Sequence, residues 1–410
     1  MIPKIDNWPD GLLTGHSSRR PRIALFSGNY NYLRDGANQA LNRLVNYLER
    51  QGCAVRVYSP TSPTPAFAPE GTLVSVPSIS IPGRGDYRLG LGLPRAIRAD
   101  LIEFAPDVIH VSAPDWTGTA VQRHARKAGI PVVASLHTRF ETYAAFYGAA
   151  LLRPAMERHL SRFYRRSDRI LVPTPGIAQE FAEAGLAART RLWGRGVDRQ
   201  QFSPRNRNMA WRRAIGIADG EVAVLHFGRL VREKGLADYA DLCRRLLDEG
   251  LPVRPLVVGD GPERGWLARK LPQARFAGHL MGADLGRAVA SADVFLNPSK
   301  TEAFGNVTLE AMAAGLPTVC VDVPSGRNLL EGGAGLLYAV GDREAGLAAL
   351  RRLVTDAEAR HGMGAHARTA SAAYDWDSAS HQVLECYLDA LGLAPRRPVD
   401  RRIGAVAVAA

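Results

Sequence analysis

The chain has 410 residues, 46% of them hydrophobic and 22% charged, with 52 Lys and Arg against 40 Asp and Glu for a net charge of +12. That length exceeds one ordinary hydrophobic core and predicts two domains, and the composition excludes a disordered or fibrous chain. Four scattered cysteines, Cys53, Cys243, Cys320 and Cys386, exclude a disulfide framework or a Cys-based zinc site and fit a reducing compartment.

In chain order, residues 1–21 lack the apolar core of a signal peptide, and no later run approaches the length of a membrane span. Strand-like runs follow at RIALFSG (22–28), CAVRVYS (53–59), TLVSVPS (72–78), VIHVSA (108–113), PVVASLH (131–137) and RILVPT (169–174), separated by longer helical stretches. His137 closes the fifth run. A lone histidine there is either a satisfied structural residue or a site residue at a strand's C-terminal edge.

From 140 to 169, Phe140, Tyr143, Phe146, Tyr147, Phe163 and Tyr164 are interleaved with Arg153, Arg158, Arg162, Arg165, Arg166 and Arg169. Aromatics mixed with arginines suit an anionic bilayer interface; the alternative is a packed helix with a solvated basic face. The basic excess also suits nucleic acid or phosphorylated substrates. No zinc-finger, RNA-recognition or helix-turn-helix signature is present, so nucleic acid is not expected as a partner.

The polar stretch GRGVDRQQFSPRNRN (194–208) has no strand or helix period and predicts a linker. Strand-like runs resume at EVAVLHFG (221–228), RPLVVGD (254–260), DVFLNPS (293–299) and PTVCVD (317–322). Alternation of this kind predicts parallel sheets with covering helices. The expected fold is α/β, with two doubly wound Rossmann-like domains facing a cleft. The expected division is a first domain over 1–193, a linker over 194–210 and a second domain over 211–376. A final helix over 377–392 could cross back to the first domain, and a basic, loosely ordered tail covers 393–410.

Arg229 and Lys234 in FGRLVREKG (227–235) directly follow a strand, where open α/β sheets place ligands. A guanidinium fork and a mobile ammonium together suit a diphosphate; the alternative is a solvated basic loop. VVGDGPERG (257–265) imitates a dinucleotide fingerprint, but its third glycine comes one residue late. Pro262 there reads as a first helical residue, so a nicotinamide or flavin cofactor is not expected.

The stretch SKTEAFGNVTLEAMAAGLP (299–317) sets Glu302 and Glu310 eight residues apart. Within one helix the two carboxylates would stand about 80° and about 12 Å apart, too far to converge on one small group. Gly305 instead predicts a helix beginning near Asn306, with Glu302 on the preceding loop and Glu310 inside the helix; Gly315 and Pro317 end it. The free N–H groups at the helix start favour an anion, and carboxylates on either side could grip hydroxyls, which together describe a nucleotide sugar. Alternatively Glu302 is a solvated loop residue and Glu310 an exposed helix position.

GRLVREKG, VVGDGPE and TEAFGNVTLEAMAAGLP, in this order, resemble the retaining nucleotide-sugar glycosyltransferases of the GT-B fold, and RGVDRQQFSP (195–204) resembles their interdomain segment. The resemblance covers most of the chain and implies roles by position. Glu302 would hold donor-sugar hydroxyls; Phe304, Gly305 and Asn306 would offer backbone N–H groups to sugar and phosphate. Glu310 would accept from the ribose hydroxyls, Gly278 and His279 would lie near the base, and Gly36 would let the backbone approach the donor phosphate. Arg229 and Lys234 would stabilise the leaving diphosphate, and His137 would be catalytic. The His-Thr-Arg-Phe run at 137–140 with its following tyrosines most resembles bacterial lipid α-mannosyltransferases and sulfoquinovosyl diacylglycerol synthases.

The expectation is transfer of a sugar, with retention, from GDP-mannose or a UDP-sugar to a hydroxyl acceptor. No metal cofactor is expected, because no Asp-x-Asp pair closes a strand and two cations already face the diphosphate. The expected acceptor is a lipid at an anionic membrane surface, met by Arg162, Arg165 and Arg166, with the protein cytoplasmic and peripheral on the inner face of the plasma membrane. A soluble sugar acceptor, or a non-catalytic nucleotide-sugar-binding subunit, are the alternatives.

Overall fold

The computed structural model describes residues 20–33, 35–81, 84–139 and 153–393. They divide into two compact units. One comprises the chain up to Thr138, Pro154–Gly194 and the chain from Trp376 onward; the other comprises Arg139–Arg153 and Arg195–Asp375.

The first unit carries β1 (Arg22–Phe26), β2 (Ala54–Ser59), β3 (Thr72–Ser75), β4 (Ser78–Ile81), β5 (Arg84–Gly90), β6 (Val108–Val111), β7 (Val132–Ser135), β8 (Arg169–Val172) and β9 (Thr190–Leu192). Seven of these form a parallel sheet in the order β3-β2-β1-β6-β7-β8-β9, and β4 and β5 pair as an antiparallel hairpin. Every residue of β6 and β7 is buried, as parallel strands covered on both faces require. The helix Gly36–Arg50 is capped by Asp35, whose side chain accepts from the Asn38 N–H. Its buried face, Leu41, Leu44, Val45 and Leu48, shares one core with Ala379, Val383, Leu384 and Tyr387 of the helix Trp376–Ala390. The last helix therefore belongs to the first unit, although the 181 residues of Arg195–Asp375 in the second unit separate it from the rest of that core.

The second unit carries β10 (Val222–Phe227), β11 (Val253–Val258), β12 (Arg275–Gly278), β13 (Val294–Asn297), β14 (Thr318–Val321) and β15 (Gly335–Tyr338). They form a parallel sheet in the order β12-β11-β10-β13-β14-β15. Strand order reverses between β10 and β13, so the chain leaves those neighbours in opposite directions and opens a crevice beyond their C-terminal ends.

Four features depart from the sequence reading. The stretch 194–208 is not a free linker: from Arg195 it packs into the second unit, with Val197 and Phe202 buried in its core and Gly286 close against the Gln201 carbonyl. Two apolar side chains spaced among polar ones carry no period, which hid the packing. β4, β5, β9, β12 and β15 are not among the runs legible in the sequence, because each is short or lacks a continuous apolar run. Pro262 is not a first helical residue, since the helix it precedes is Arg264–Lys270. Gly36 is not in a loop: it is the first residue of a helix.

Candidate active site

Two loops meet beyond the β10/β13 switch point. The loop after β10 carries Gly228, Arg229 and Lys234; the loop after β13 carries Glu302, Phe304 and Gly305. The Lys234 ammonium lies 2.6 Å from Glu302 Oε1, with the two side chains 28% and 13% exposed. Two hydroxyls reinforce the junction: Ser299 Oγ donates to the Glu233 carbonyl at 3.2 Å and Thr301 Oγ1 to the same carbonyl at 3.4 Å. Asn297 spends its amide on Thr308 Oγ1 at 3.0 Å and its oxygen on the Ser299 N–H at 3.1 Å. The loop after β13 is thus tied to the loop after β10 on one side and to the following helix on the other.

That helix is Asn306–Ala313, so Glu302 precedes it and Glu310 lies inside it, as the sequence predicts. Its N-cap is Gly305 at φ +93°, a left-handed conformation that a side chain would strain. No side chain caps the helix start, so its first N–H groups remain for a ligand. The Asn306 side-chain oxygen is buried without a partner. Turning that amide by 180° would offer an N–H instead, the polarity an anion needs.

Phe304 is fixed from below. Its ring stands edge-on to Tyr374 at 6.0 Å, and the buried Arg195 guanidinium lies 5.9 Å over it. Burial lowers the Arg195 pKa to about 10, which still leaves it charged. His226, the next-to-last residue of β10, is also buried, and burial with the nearby Lys234 charge pushes its imidazole down to about 4. It is neutral at physiological pH, so the positive charge here comes from Arg195, Arg229 and Lys234. His226 carried no motif that sequence reading could have used, and Arg195 stood in the segment RGVDRQQFSP without any sign of its contact with Phe304.

The glycines of the false fingerprint have a steric purpose. A Cβ on Gly259 would meet the Gly228 carbonyl oxygen at 1.9 Å, and one on Gly261 would meet that of Leu230 at 2.4 Å. The loop after β11 therefore lies directly against the loop that carries Arg229, joined by the Leu230 N–H donating to the Asp260 carbonyl. Gly259 also donates its N–H to the Gly278 carbonyl at 2.7 Å, which brings the end of β12, with Gly278 at φ +73° and His279 after it, onto the same edge.

In the first unit, His137 follows β7 and accepts or donates at 2.8 Å to Ser135 Oγ, with its ring edge-on to Trp193 at 5.0 Å. A cavity of about 420 Å³ lies elsewhere on this unit, lined by Trp116, Arg123, His159, Arg162, Phe163 and Arg166. Trp116 is 61% exposed, and none of the three arginines has a carboxylate partner among the described residues. Arg165 does not join them: it turns away to donate to the Ala184 carbonyl at 2.8 Å and to Ser161 Oγ at 3.3 Å. Arg162 comes from the helix Arg153–Arg165 and Arg166 from the turn that follows it, while Arg123 arrives from the helix Trp116–Ala128. Phe140, Tyr143, Phe146 and Tyr147 lie outside the described residues. No helix among the described residues is long and apolar enough to cross a membrane.

Residues 34–201 match the family model described as Glycosyltransferase Family 4, and residues 221–356 match Glycosyl transferases group 1. A sulfoquinovosyl transferase of Arabidopsis thaliana is 32% identical over 386 residues, covering 91% of this chain and 74% of that protein. A GDP-mannose-dependent alpha-mannosyltransferase of Mycolicibacterium smegmatis is 33% identical over 378 residues, covering 90% of this chain and 98% of that one. An alpha-monoglucosyldiacylglycerol synthase of Streptococcus pneumoniae is 25% identical over 322 residues, covering 75% and 73%. Among solved structures, a sucrose-phosphate synthase from Thermosynechococcus elongatus shares the fold at a TM-score of 0.73 and 20% identity, over 92% of this chain and all of that one.

Gly259→Ala tests the loop-against-loop packing. The new methyl group meets backbone rather than a movable side chain, so the loop carrying Arg229 must shift. Thermal unfolding should show a loss of about 1 kcal/mol or more, and amide hydrogen exchange should speed up at Gly228 and Leu230. Gly250→Ala, where a Cβ meets nothing within 4 Å but φ is also +72°, separates backbone strain from the steric clash. Equal effects from the two changes would show that the loops do not depend on this contact.

Proposed function

The chain belongs to the glycosyltransferases, with a Glycosyltransferase Family 4 half and a Glycosyl transferases group 1 half on a GT-B fold, and we propose that it moves a hexose from a nucleoside-diphosphate sugar to a hydroxyl acceptor with retention. The observation that carries the reading is the Lys234–Glu302 junction beside an uncapped helix start at the β10/β13 switch point. It sets cations, N–H donors and carboxylates around a space where a diphosphate flanked by two polyols finds a partner for each part. Glu302 serves the sugar hydroxyls and Glu310 the ribose, while Phe304, Gly305 and Asn306 present the helix start to the phosphates. Gly278 and His279 lie at the edge that serves the base. GDP-mannose or a UDP-sugar is the donor; the mannosyltransferase relatives use GDP-mannose by name.

In the reaction the bond between the sugar's anomeric carbon and the diphosphate oxygen breaks, and the electron pair leaves with the phosphate. Arg229, Lys234 and the helix N–H groups meet the charge that develops there. An ammonium has three donors and Lys234 spends one on Glu302, which leaves others for the phosphate. The acceptor oxygen adds to the same face the diphosphate leaves, which gives retention, and its proton passes to the departing diphosphate oxygen. His137 serves the acceptor side.

The acceptor in this reading is a membrane lipid hydroxyl. The support is the basic cavity of the first unit, where Arg123, Arg162 and Arg166 have no carboxylate partner among the described residues and lie beside an exposed Trp116. Guanidinium groups with an indole at their edge suit the headgroup region of an anionic bilayer. The protein would then act as a peripheral protein on the inner face of the plasma membrane.

Calorimetry separates the two glutamates. Glu310→Gln should weaken the bare nucleoside diphosphate, because ribose is present with or without the sugar. Glu302→Gln should leave the bare diphosphate nearly unchanged and lower turnover of the sugar nucleotide. A lost charged hydrogen bond is worth about 1.5–3 kcal/mol, so each effect should be about tenfold or more. The reverse pattern would overturn the assignment.

Turnover should survive excess EDTA, because Arg229 and Lys234 supply the charge that a divalent ion would otherwise supply. Activity lost to chelator and restored by Mg²⁺ or Mn²⁺ would show the phosphate assignment to be wrong.

Flotation with anionic vesicles tests the acceptor side. The wild type should float at low salt and be released at high salt, and the triple change of Arg123, Arg162 and Arg166 to Gln should release it at low salt. Each surface cation contributes about 1 kcal/mol near such a membrane, within a Debye length. A wild type that stays with the soluble fraction at low salt would point to a soluble acceptor instead.

A further inference from the structure

Three buried polar groups of the first unit are joined to His137 in one unbroken run. Tyr387, on the helix Trp376–Ala390, has its hydroxyl 2.6 Å from His110 Nδ1. His110 Nε2, on β6, lies 2.7 Å from Ser135 Oγ on β7, and Ser135 Oγ lies 2.8 Å from His137 Nε2. Tyr387 and His110 are wholly buried, and Ser135 is nearly so. The indole of Trp193 stands edge-on to both imidazoles, 5.9 Å from His110 and 5.0 Å from His137.

The direction of every proton in this run follows from its inner end. Burial pushes the His110 imidazole down to about 3 and raises the Tyr387 phenol, so both are neutral. A neutral imidazole donates from one nitrogen and accepts at the other. His110 is the one hydrogen-bond partner of the Tyr387 hydroxyl among the described residues. If His110 donated from Nδ1, the phenol proton would be left in the core without an acceptor, which buried donors rarely tolerate. Tyr387 therefore donates to His110 Nδ1, His110 donates from Nε2 to Ser135, and Ser135 donates to His137 Nε2.

We propose that Tyr387, His110 and Ser135 form a positioning relay that holds His137 as the tautomer with its proton on Nδ1. The three touch no substrate; they act through His137. The relay rests on the reading of His137 as a site residue. It also gives the last helix a task beyond packing, because that helix supplies the residue that sets the polarity of the run.

Nitrogen-15 NMR of histidine-labelled full-length protein reads the tautomer directly, with the His137 signal identified by its loss in His137→Gln. The wild type should carry the proton on Nδ1. Ser135→Ala and Tyr387→Phe should each shift population toward the Nε2–H form and lower kcat for GDP-mannose or UDP-glucose turnover about tenfold, with the donor KM little changed. Ser135→Thr keeps the hydroxyl and should restore much of both readings. Ser135→Ala removes one oxygen, so its result stands if Tyr387→Phe folds poorly. A wild-type proton on Nε2, or a tautomer unmoved in Ser135→Ala, would overturn the relay. Unchanged turnover in His137→Ala would overturn the site reading beneath it, an outcome the NMR signal distinguishes.

Discussion

The second unit depends on how close its loops come at the β10/β13 switch point. Parallel strands must be joined by crossovers, and reversing the crossover direction leaves a crevice that no helix fills. Backbone has to line that crevice, and backbone approaches backbone only where no Cβ intervenes. Gly259 against the Gly228 carbonyl and Gly261 against that of Leu230 meet this condition. With the loops seated, Lys234 reaches Glu302 and the Glu233 carbonyl takes the hydroxyls of Ser299 and Thr301. Lys234 and Glu302 are thus held in place by contacts within the unit itself.

The first unit solves a different problem. His137 follows a four-residue strand, and a lone imidazole there has two tautomers of similar energy. Burying His110, Ser135 and Tyr387 in one run removes that freedom, because each buried polar atom must find a partner and only one pattern of protons satisfies all of them. The same run explains why the chain returns from the second unit to end in the first. The helix Trp376–Ala390 completes the core with Val383 and Leu384 and delivers Tyr387 to β6.

The basic surface of the first unit shows the limit of reading charge along a chain. Arg162, Arg165 and Arg166 are neighbours in sequence, but a helix sends Arg165 to the Ala184 carbonyl and pairs the other two with Arg123, some forty residues earlier. A charge cluster is a property of a surface, and the surface draws on two helices.

Local order was legible wherever a residue's role depends on near neighbours. The alternation of apolar runs with helical stretches determined two doubly wound units. Gly305 and Asn306 indicated that Glu302 is on a loop and Glu310 on a helix, because glycine is unfavourable inside a helix and tends to bound one. The position of Arg229 and Lys234 on the loop after a strand was legible for the same reason. Only the tertiary structure decided the rest. The ion pair of Lys234 with Glu302, the buried Arg195 over Phe304 and the packing of 195–208 into the second unit each join residues far apart in sequence. His110, Ser135 and Tyr387 read as ordinary strand and helix residues, and their partnership exists because β6, β7 and the last helix are neighbours in space. Hydrogen-bond satisfaction and burial are enforced between surfaces that meet on folding, and no local pattern records which surfaces those will be.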